Sequence, residues 1–264
     1  MQQKKKRGAR LGQHFLTARR VAVSLARAVA VRTGESIVEV GPGKGALTRE
    51  LVRIGGPVVA IEKDEELIGR LRDSFEPEIK SGRLRIIAGD IRDLDTISAG
   101  LADHLYVVAA NIPYYITGEI IRQFLTAPTQ PRAMALLIQK EVAQRITSSK
   151  ESLLSLSVKV YGTPKIIEKV SRKCFSPAPS VDSAILLIDN ISHDFFADVR
   201  EEHFFAVMHA GFASKRKFLA NNLGVKFGKE IAAKALADCG INEKARAEDV
   251  SLLEWKEIAQ KLSE

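Results

Sequence analysis

A chain of 264 residues, 45% hydrophobic and 27% charged, can bury a substantial core and divides naturally into one large domain and one small one. No apolar run approaches the roughly 18 residues of a membrane span, and Cys174 and Cys239 lack any C-x-x-C or Cys/His spacing. No membrane partner and no metal site are therefore expected, and a reducing compartment is.

The formal net charge of +8 is local. Residues 1–34 hold nine of the 40 Lys/Arg and none of the 32 Asp/Glu, leaving 31 basic against 32 acidic residues elsewhere. A basic arm over about residues 1–11 suits a polyanion such as RNA, through counterion release. A solvated terminus has the same composition, and an Arg-rich, acid-free start also resembles an organelle transit peptide. Gly12–Leu16, expected to be part of the site, speaks against cleavage beyond that point. The cytoplasm, bacterial in kind, is the expected location, with an organelle as the alternative.

Apolar residues at Val21, Leu25, Ala28 and Val29 predict a helix over Arg19–Val31, ended by Gly34. Ser36–Val40 reads as a strand, followed by Gly41-Pro-Gly-Lys-Gly45 and an amphipathic helix over about Ala46–Ile54. Strand, glycine loop and helix open a nucleotide-binding α/β fold, and glycines let the backbone approach a ligand unobstructed by Cβ. The spacing is G-x-G-x-G with no following G-K-[ST], which disfavours a phosphate-cradling loop of either the dinucleotide or the P-loop kind. Its form resembles the S-adenosylmethionine loop of Rossmann-like methyltransferases.

The next strands come on schedule. Pro57–Ile61 ends at Glu62, about 20 residues past the loop, where an acid would bind ribose hydroxyls. Leu84–Ala88 ends in Gly89-Asp90, whose carboxylate could accept from an adenine amine. Leu105–Ala110, Leu-Tyr-Val-Val-Ala-Ala, has the continuous apolar character of a buried parallel strand. Three strand ends thus bring Glu62, Asp90 and Asn111 to one sheet edge. Open α/β sheets place their ligands there.

Asn111-Ile-Pro-Tyr114 follows that strand, and Pro113 forbids further ladder pairing and turns the chain. A carboxamide, a rigid turn and an aromatic ring suit a flat, neutral, nitrogenous target such as adenine N6. The Asn111 side-chain oxygen and the Ile112 carbonyl could each accept one N6 hydrogen and aim the nitrogen lone pair. That is positioning and electrostatic catalysis without a strong base. Tyr114 would stack on the base, a contact worth roughly 1–3 kcal/mol. A strand-end turn with a core tyrosine would use the same four residues.

Met134–Ile138 predicts a fifth parallel strand, with a helix carrying Glu141–Ile146 after it. Val158–Ile166 and Ser183–Ile188 read as two further strands around the proline-spaced loop Phe175–Ser183. Phe175 is either a core residue of that loop or a ring that stacks opposite Tyr114. From about Ser192 the pattern is helical only, with Phe204, Phe205, Met208 and Phe212 as a core stripe. Lys215-Arg216-Lys217 is expected on the same helix, either touching phosphates or solvated. Helices are also expected around Lys234–Leu236 and Leu252–Leu262. The division implied is 1–190 and 191–264.

Gly12-Gln-His-Phe-Leu16, Glu39–Thr48, Gly89-Asp90, Asn111–Tyr114, Gln139–Ile146 and Phe175–Ser183 occur in that order. Together they resemble the small-subunit rRNA adenine dimethyltransferase family, the KsgA family, over roughly residues 10–225. The resemblance implies a Rossmann-like class I methyltransferase sheet with a small C-terminal helical domain. It implies dimethylation of N6 on two adjacent adenosines, in a hairpin loop near the 3′ end of small-subunit rRNA, and a role in small-subunit assembly. It places His14 and Leu16 over the methionine end of S-adenosylmethionine, Gly41 and Gly43 along it, Glu62 at the ribose and Asp90 at the adenine. Asn111 would touch the cofactor and orient the target, held by the Pro113 turn, with Tyr114 and Phe175 stacking the base. His14 stands where the family often has Asn, and Tyr115 is at a variable position. The partner implied is rRNA or an immature small subunit, and a monomer is the simpler expectation. Two rivals are a large-subunit rRNA adenine methyltransferase of the antibiotic-resistance type and a non-catalytic assembly factor.

Overall fold

The computed structural model describes residues 14–262. The basic arm, Gly12 and Gln13 lie outside the described residues. The chain packs as two units, one of the described residues up to Gln144 with Thr163–Ile191, the other of Arg145–Gly162 with the described residues from Ser192 onwards. A single cut at 190/191 does not express that grouping of residues 145–162.

In the first unit the chain runs β1 (Phe15–Leu16), α1 (Arg19–Ala28), β2 (Ser36–Val40), α2 (Ala46–Ile54), β3 (Val58–Glu62), α3 (Glu65–Ser74) and α4 (Glu76–Lys80). It continues through β4 (Leu84–Ala88), β5 (Tyr106–Asn111), α5 (Thr117–Leu125) and β6 (Ala133–Gln139), and leaves through α6 (Lys140–Ile146). After α7 (Leu153–Lys159), which belongs to the second unit, it returns as β7 (Thr163–Val170), β8 (Phe175–Ser176) and β9 (Ser183–Asp189).

The sheet order is β4-β3-β2-β5-β6-β9-β7. The five strands from β4 to β6 are parallel, and β9 runs antiparallel to both β6 and β7. Val107–Ala110 and Ala133–Ile138 are fully buried, as expected where helices cover both faces of a parallel sheet. The chain winds outward from β2 through β3 to β4, then restarts beside β2 at β5. That reversal opens a crevice at the carboxyl ends of β2 and β5. The register aligns the edge: Val40 lies opposite Ile61 and Ala110, and Glu62 opposite Ala88. On one face α1 and α2 contribute Val21, Leu25, Leu47 and Leu51 to a core with Ile37, Val107, Ala135 and Ile185.

The second unit is helical, with α8 (Glu201–Gly211), α9 (Leu219–Phe227), α10 (Lys229–Asp238) and α11 (Leu252–Lys261). Its core holds Phe204, Met208, Leu223 and the fully buried Trp255. A Cβ on Gly211 would come within 2.3 Å of the Trp255 ring, so glycine is what lets α8 pass the indole. No helix among the described residues is long and apolar enough to cross a membrane.

Three expectations need correction. The strand expected over Val158–Ile166 is displaced: α7 occupies Leu153–Lys159, and β7 begins only at Thr163. The Ser152 side chain accepts from Ser155 N while Ser155 reciprocates, and this capping box starts a helix that runs through Val158, where the strand was expected to begin. The first helix stops at Ala28 rather than Val31, and Ala30 adopts a positive φ of 44°. Both carbonyls there, of Val29 and Ala30, accept from the buried Arg132 guanidinium, which also pairs with Glu35. Finally, Lys215-Arg216-Lys217 lies in the turn after α8, because that helix ends at Gly211.

Candidate functional site

The crevice is lined by residues from four strand ends and from the segment around β1. After β2, Gly41, Gly43 and Gly45 take φ values of 65°, 59° and 77°, conformations that L side chains rarely adopt. A Cβ on Gly41 would meet nothing within 4 Å, whereas one on Gly45 would come within 2.5 Å of the Phe75 ring. Gly41 therefore leaves open space in the crevice, and Gly45 seats α2 against Phe75.

Glu62, 4% exposed, ties the loop to β3. Its Oε2 accepts from Gly43 N at 3.1 Å, and its Oε1 from Lys63 N at 3.0 Å and Asp64 N at 3.1 Å. Asp90 is clamped by Arg92, with Nε to Oδ1 at 3.0 Å and Nη2 to Oδ2 at 2.7 Å, and with Lys63 Nζ 3.7 Å away. The Arg92 guanidinium holds this carboxyl well below the usual carboxylate range, so it is an oriented anion.

Asn111 ends β5, and its Nδ2 donates to the main-chain oxygen of His14 at 3.1 Å. One N–H of its donor end is thus anchored, and Oδ1 has no hydrogen-bond partner among the described residues. The His14 segment is itself anchored: His14 Nδ1 donates to Pro177 O at 2.8 Å, and β1 pairs with β8 through Leu16 and Phe175. Pro113, at φ −56°, begins the tight turn Tyr114–Ile116. The Tyr114 hydroxyl bonds Ser183 Oγ at 2.7 Å, and its ring lies 5.9 Å from the His14 ring. Burial pushes the Tyr114 hydroxyl pKa up, so it stays neutral.

His14, Leu16, Gly41, Gly43, Glu62, Asp90, Asn111, Pro113 and Tyr114 all line this one crevice. Phe175 does not. Its ring is 5% exposed and belongs to the hydrophobic core. Stacking on a base would first require it to leave that core, at a cost of about 1.5–3 kcal/mol.

Phe15, Lys44, Tyr115 and Glu39 are among the lining residues with no role assigned from the sequence. Phe15 covers Gly43, where an added Cβ would come within 3.2 Å of its ring, and Lys44 Nζ stands 4.6 Å from the ring centroid. Tyr115 lies at the rim, 65% exposed. Glu39, 1% exposed, has an Oε2 with no hydrogen-bond partner, and the buried Thr48 Oγ1 has none either. Burial pushes the Glu39 carboxyl up to about 8; the adjacent Thr48 hydroxyl and backbone N–H oppose the shift without cancelling it, and the neighbouring Glu62 charge adds to it. An acid inside the apolar run Ser36–Val40 was the available signal for Glu39.

The family described as "Ribosomal RNA adenine dimethylase" matches residues 3–264. Two relatives named "Ribosomal RNA small subunit methyltransferase A" are 38% and 35% identical to this chain. That from Dehalococcoides mccartyi (strain CBDB1) covers 94% of this chain and 86% of its own, and that from Moorella thermoacetica (strain ATCC 39073 / JCM 9320) covers 95% and 91%. Among solved structures, the 23S rRNA methyltransferase ErmE superposes with a TM-score of 0.78 at 24% identity, covering 95% of this chain and 100% of its own. A dimethyladenosine transferase from Plasmodium falciparum gives 0.79 at 20%, covering 93% and 96%. Likeness at that level is one of fold, and it agrees with the expected class I methyltransferase sheet. The ordered motifs, the sheet with its reversal beside β2 and the match over nearly the whole chain agree: this chain belongs to the ribosomal RNA adenine dimethylase family of S-adenosylmethionine-dependent methyltransferases.

Proposed function

We propose that this chain transfers methyl groups from S-adenosylmethionine to N6 of two adjacent adenosines in a hairpin loop near the 3′ end of small-subunit rRNA. The observation that carries the reading is the Asn111 carboxamide, whose donor end is held by His14 O while its acceptor end is unpartnered beside Tyr114. Adenine N6 offers hydrogens and a conjugated, poorly nucleophilic lone pair. An Asn111 Oδ1 fixed in this orientation accepts one of those hydrogens, and the Ile112 carbonyl accepts the other. The lone pair is then localised and aimed, which is catalysis by alignment and preorganised dipoles.

The lining fits S-adenosylmethionine on three counts. Gly41 leaves room for close approach, Glu39 Oε2 is a buried polar atom without a partner, and Asp90 is an oriented anion. Glu62 and Asp90 would hold its ribose and adenine, and His14, Leu16 and Gly43 its methionine end. Bound there, S-adenosylmethionine supplies an activated methyl group on a sulfonium. After one transfer N6 keeps one hydrogen for Asn111 Oδ1, so a second round needs no different residue. Tyr114, its hydroxyl tied to Ser183, gives a fixed ring face to a base drawn out of its stack.

The relatives named above carry small-subunit names, which favours that RNA over large-subunit RNA. Intact Asn111, Tyr114 and glycine loop favour catalysis over a purely structural assembly role, though the chain can serve assembly as well. In this reading the second unit, with its Lys215-Arg216-Lys217 turn, contacts RNA phosphates, and the enzyme works as a cytoplasmic monomer.

The test uses purified protein, isotopically labelled S-adenosylmethionine and unmethylated small subunits, with large-subunit RNA alongside, and locates the label by mass spectrometry. Dimethyladenosine at two neighbouring positions near the small-subunit 3′ end is expected. Label confined to large-subunit RNA, or no label with tight subunit binding, overturns the reading.

A further inference from the structure

Tyr114 and Tyr115 are consecutive in a turn of about three residues per revolution, so their side chains diverge. Tyr114 is half-buried and pinned through its hydroxyl to Ser183. Tyr115 lines the same crevice yet is 65% exposed, and among the described residues it has no hydrogen bond and no aromatic or cationic partner. A single exposed ring is ordinary on a protein surface. Its placement is what distinguishes this one. The turn is held by Pro113 and continues directly into α5, so the ring stands on a rigid base immediately outside Tyr114.

Extruding a base into a pocket strips its neighbour of a stacking partner. An aromatic ring fixed at the pocket rim can replace that partner, and every base has a π-face to offer it. We infer that Tyr115 is the platform on which the nucleotide flanking the extruded adenosine stacks, a substrate-positioning residue outside the pocket as Tyr114 is within it. The inference rests on the adenine N6 reading of the site. A contact with the flanking nucleotide exists before and during transfer alike, so it tightens RNA binding without altering the chemical step. Its loss therefore raises KM for RNA and spares kcat.

The test compares Tyr115→Ala, Tyr115→Leu and Tyr115→Phe with the unaltered full chain on unmethylated small subunits. S-adenosylmethionine affinity, measured by calorimetry, serves as the control for folding. Tyr115→Ala and Tyr115→Leu are expected to raise KM for RNA about tenfold, the loss of one modest stack, with kcat and donor affinity unchanged. Tyr115→Phe, which keeps the ring, is expected to match the unaltered chain. Leucine keeps apolar bulk without a π-face, so Tyr115→Leu behaving like Tyr115→Phe would overturn stacking in favour of packing. An unchanged KM in Tyr115→Ala would overturn the inference and leave the function reading standing. No transfer by the unaltered chain would overturn both.

Discussion

Glu39 is a carboxyl placed where its charge is costly. It is fully buried in β2 with Oε2 unpartnered, and burial, with Glu62 nearby, pushes it from an ordinary 4.5 up to about 8. The sign of the consequence follows from linkage. Below about pH 4.5 the group is protonated in folded and unfolded chains alike and contributes nothing. Between 4.5 and 8 the unfolded chain ionises it and the folded chain does not, so stability falls as pH rises. Above about 8 both states are ionised and the loss levels off. The slope is about 1.4 kcal/mol per pH unit, or about 4 kcal/mol at most from pH 5 to 8, with water entry into the crevice reducing it. Glu39→Gln removes the titration while keeping shape. Urea unfolding of the donor-free protein would be followed at pH 5, 6.5 and 8 by circular dichroism, because the single tryptophan, Trp255, reports on the second unit. Glu39→Gln is expected to gain on the unaltered chain steadily across that range. A stability difference independent of pH would refute the assignment of a neutral, buried Glu39.

Three further outcomes follow from the same geometry. Asn111→Ala should abolish methyl transfer to small-subunit RNA while S-adenosylmethionine affinity and the unfolding midpoint stay close to normal; wild-type-like turnover would remove its assigned role. Gly45→Ala places a Cβ 2.5 Å from the Phe75 ring at a φ of 77°, and strain with overpacking should cost about 2–4 kcal/mol. A loss under 1 kcal/mol in urea unfolding would show that α2 and Phe75 yield easily. Phe175→Leu keeps an apolar side chain in the core and should cost less than about 1.5 kcal/mol. If the ring leaves the core to stack on the base, the same variant raises KM for RNA; an unchanged KM would make Phe175 a core residue only.

The sequence by itself determined the frame of the site. Apolar runs of strand length, ending on schedule at Val40, Glu62, Ala88 and Asn111, specify a parallel sheet whose ligand edge can be named residue by residue. Glycine spacing is equally local, because Gly41, Gly43 and Gly45 reflect backbone angles that few other residues adopt. Only the tertiary structure decided what depends on contacts between distant segments. The Asn111 carboxamide is oriented by a carbonyl 97 residues away, and no local pattern around Asn111 carries that information. Phe175 has the same loop sequence whether it faces a base or the core, and pairing with Leu16 places it in the core. Val158 and Val160 read as the start of a strand, but the Ser152–Ser155 cap starts a helix that runs on to Lys159. Glu39 follows the same logic: the sequence places an acid in a strand, but its protonation depends on how completely the rest of the fold excludes water from it.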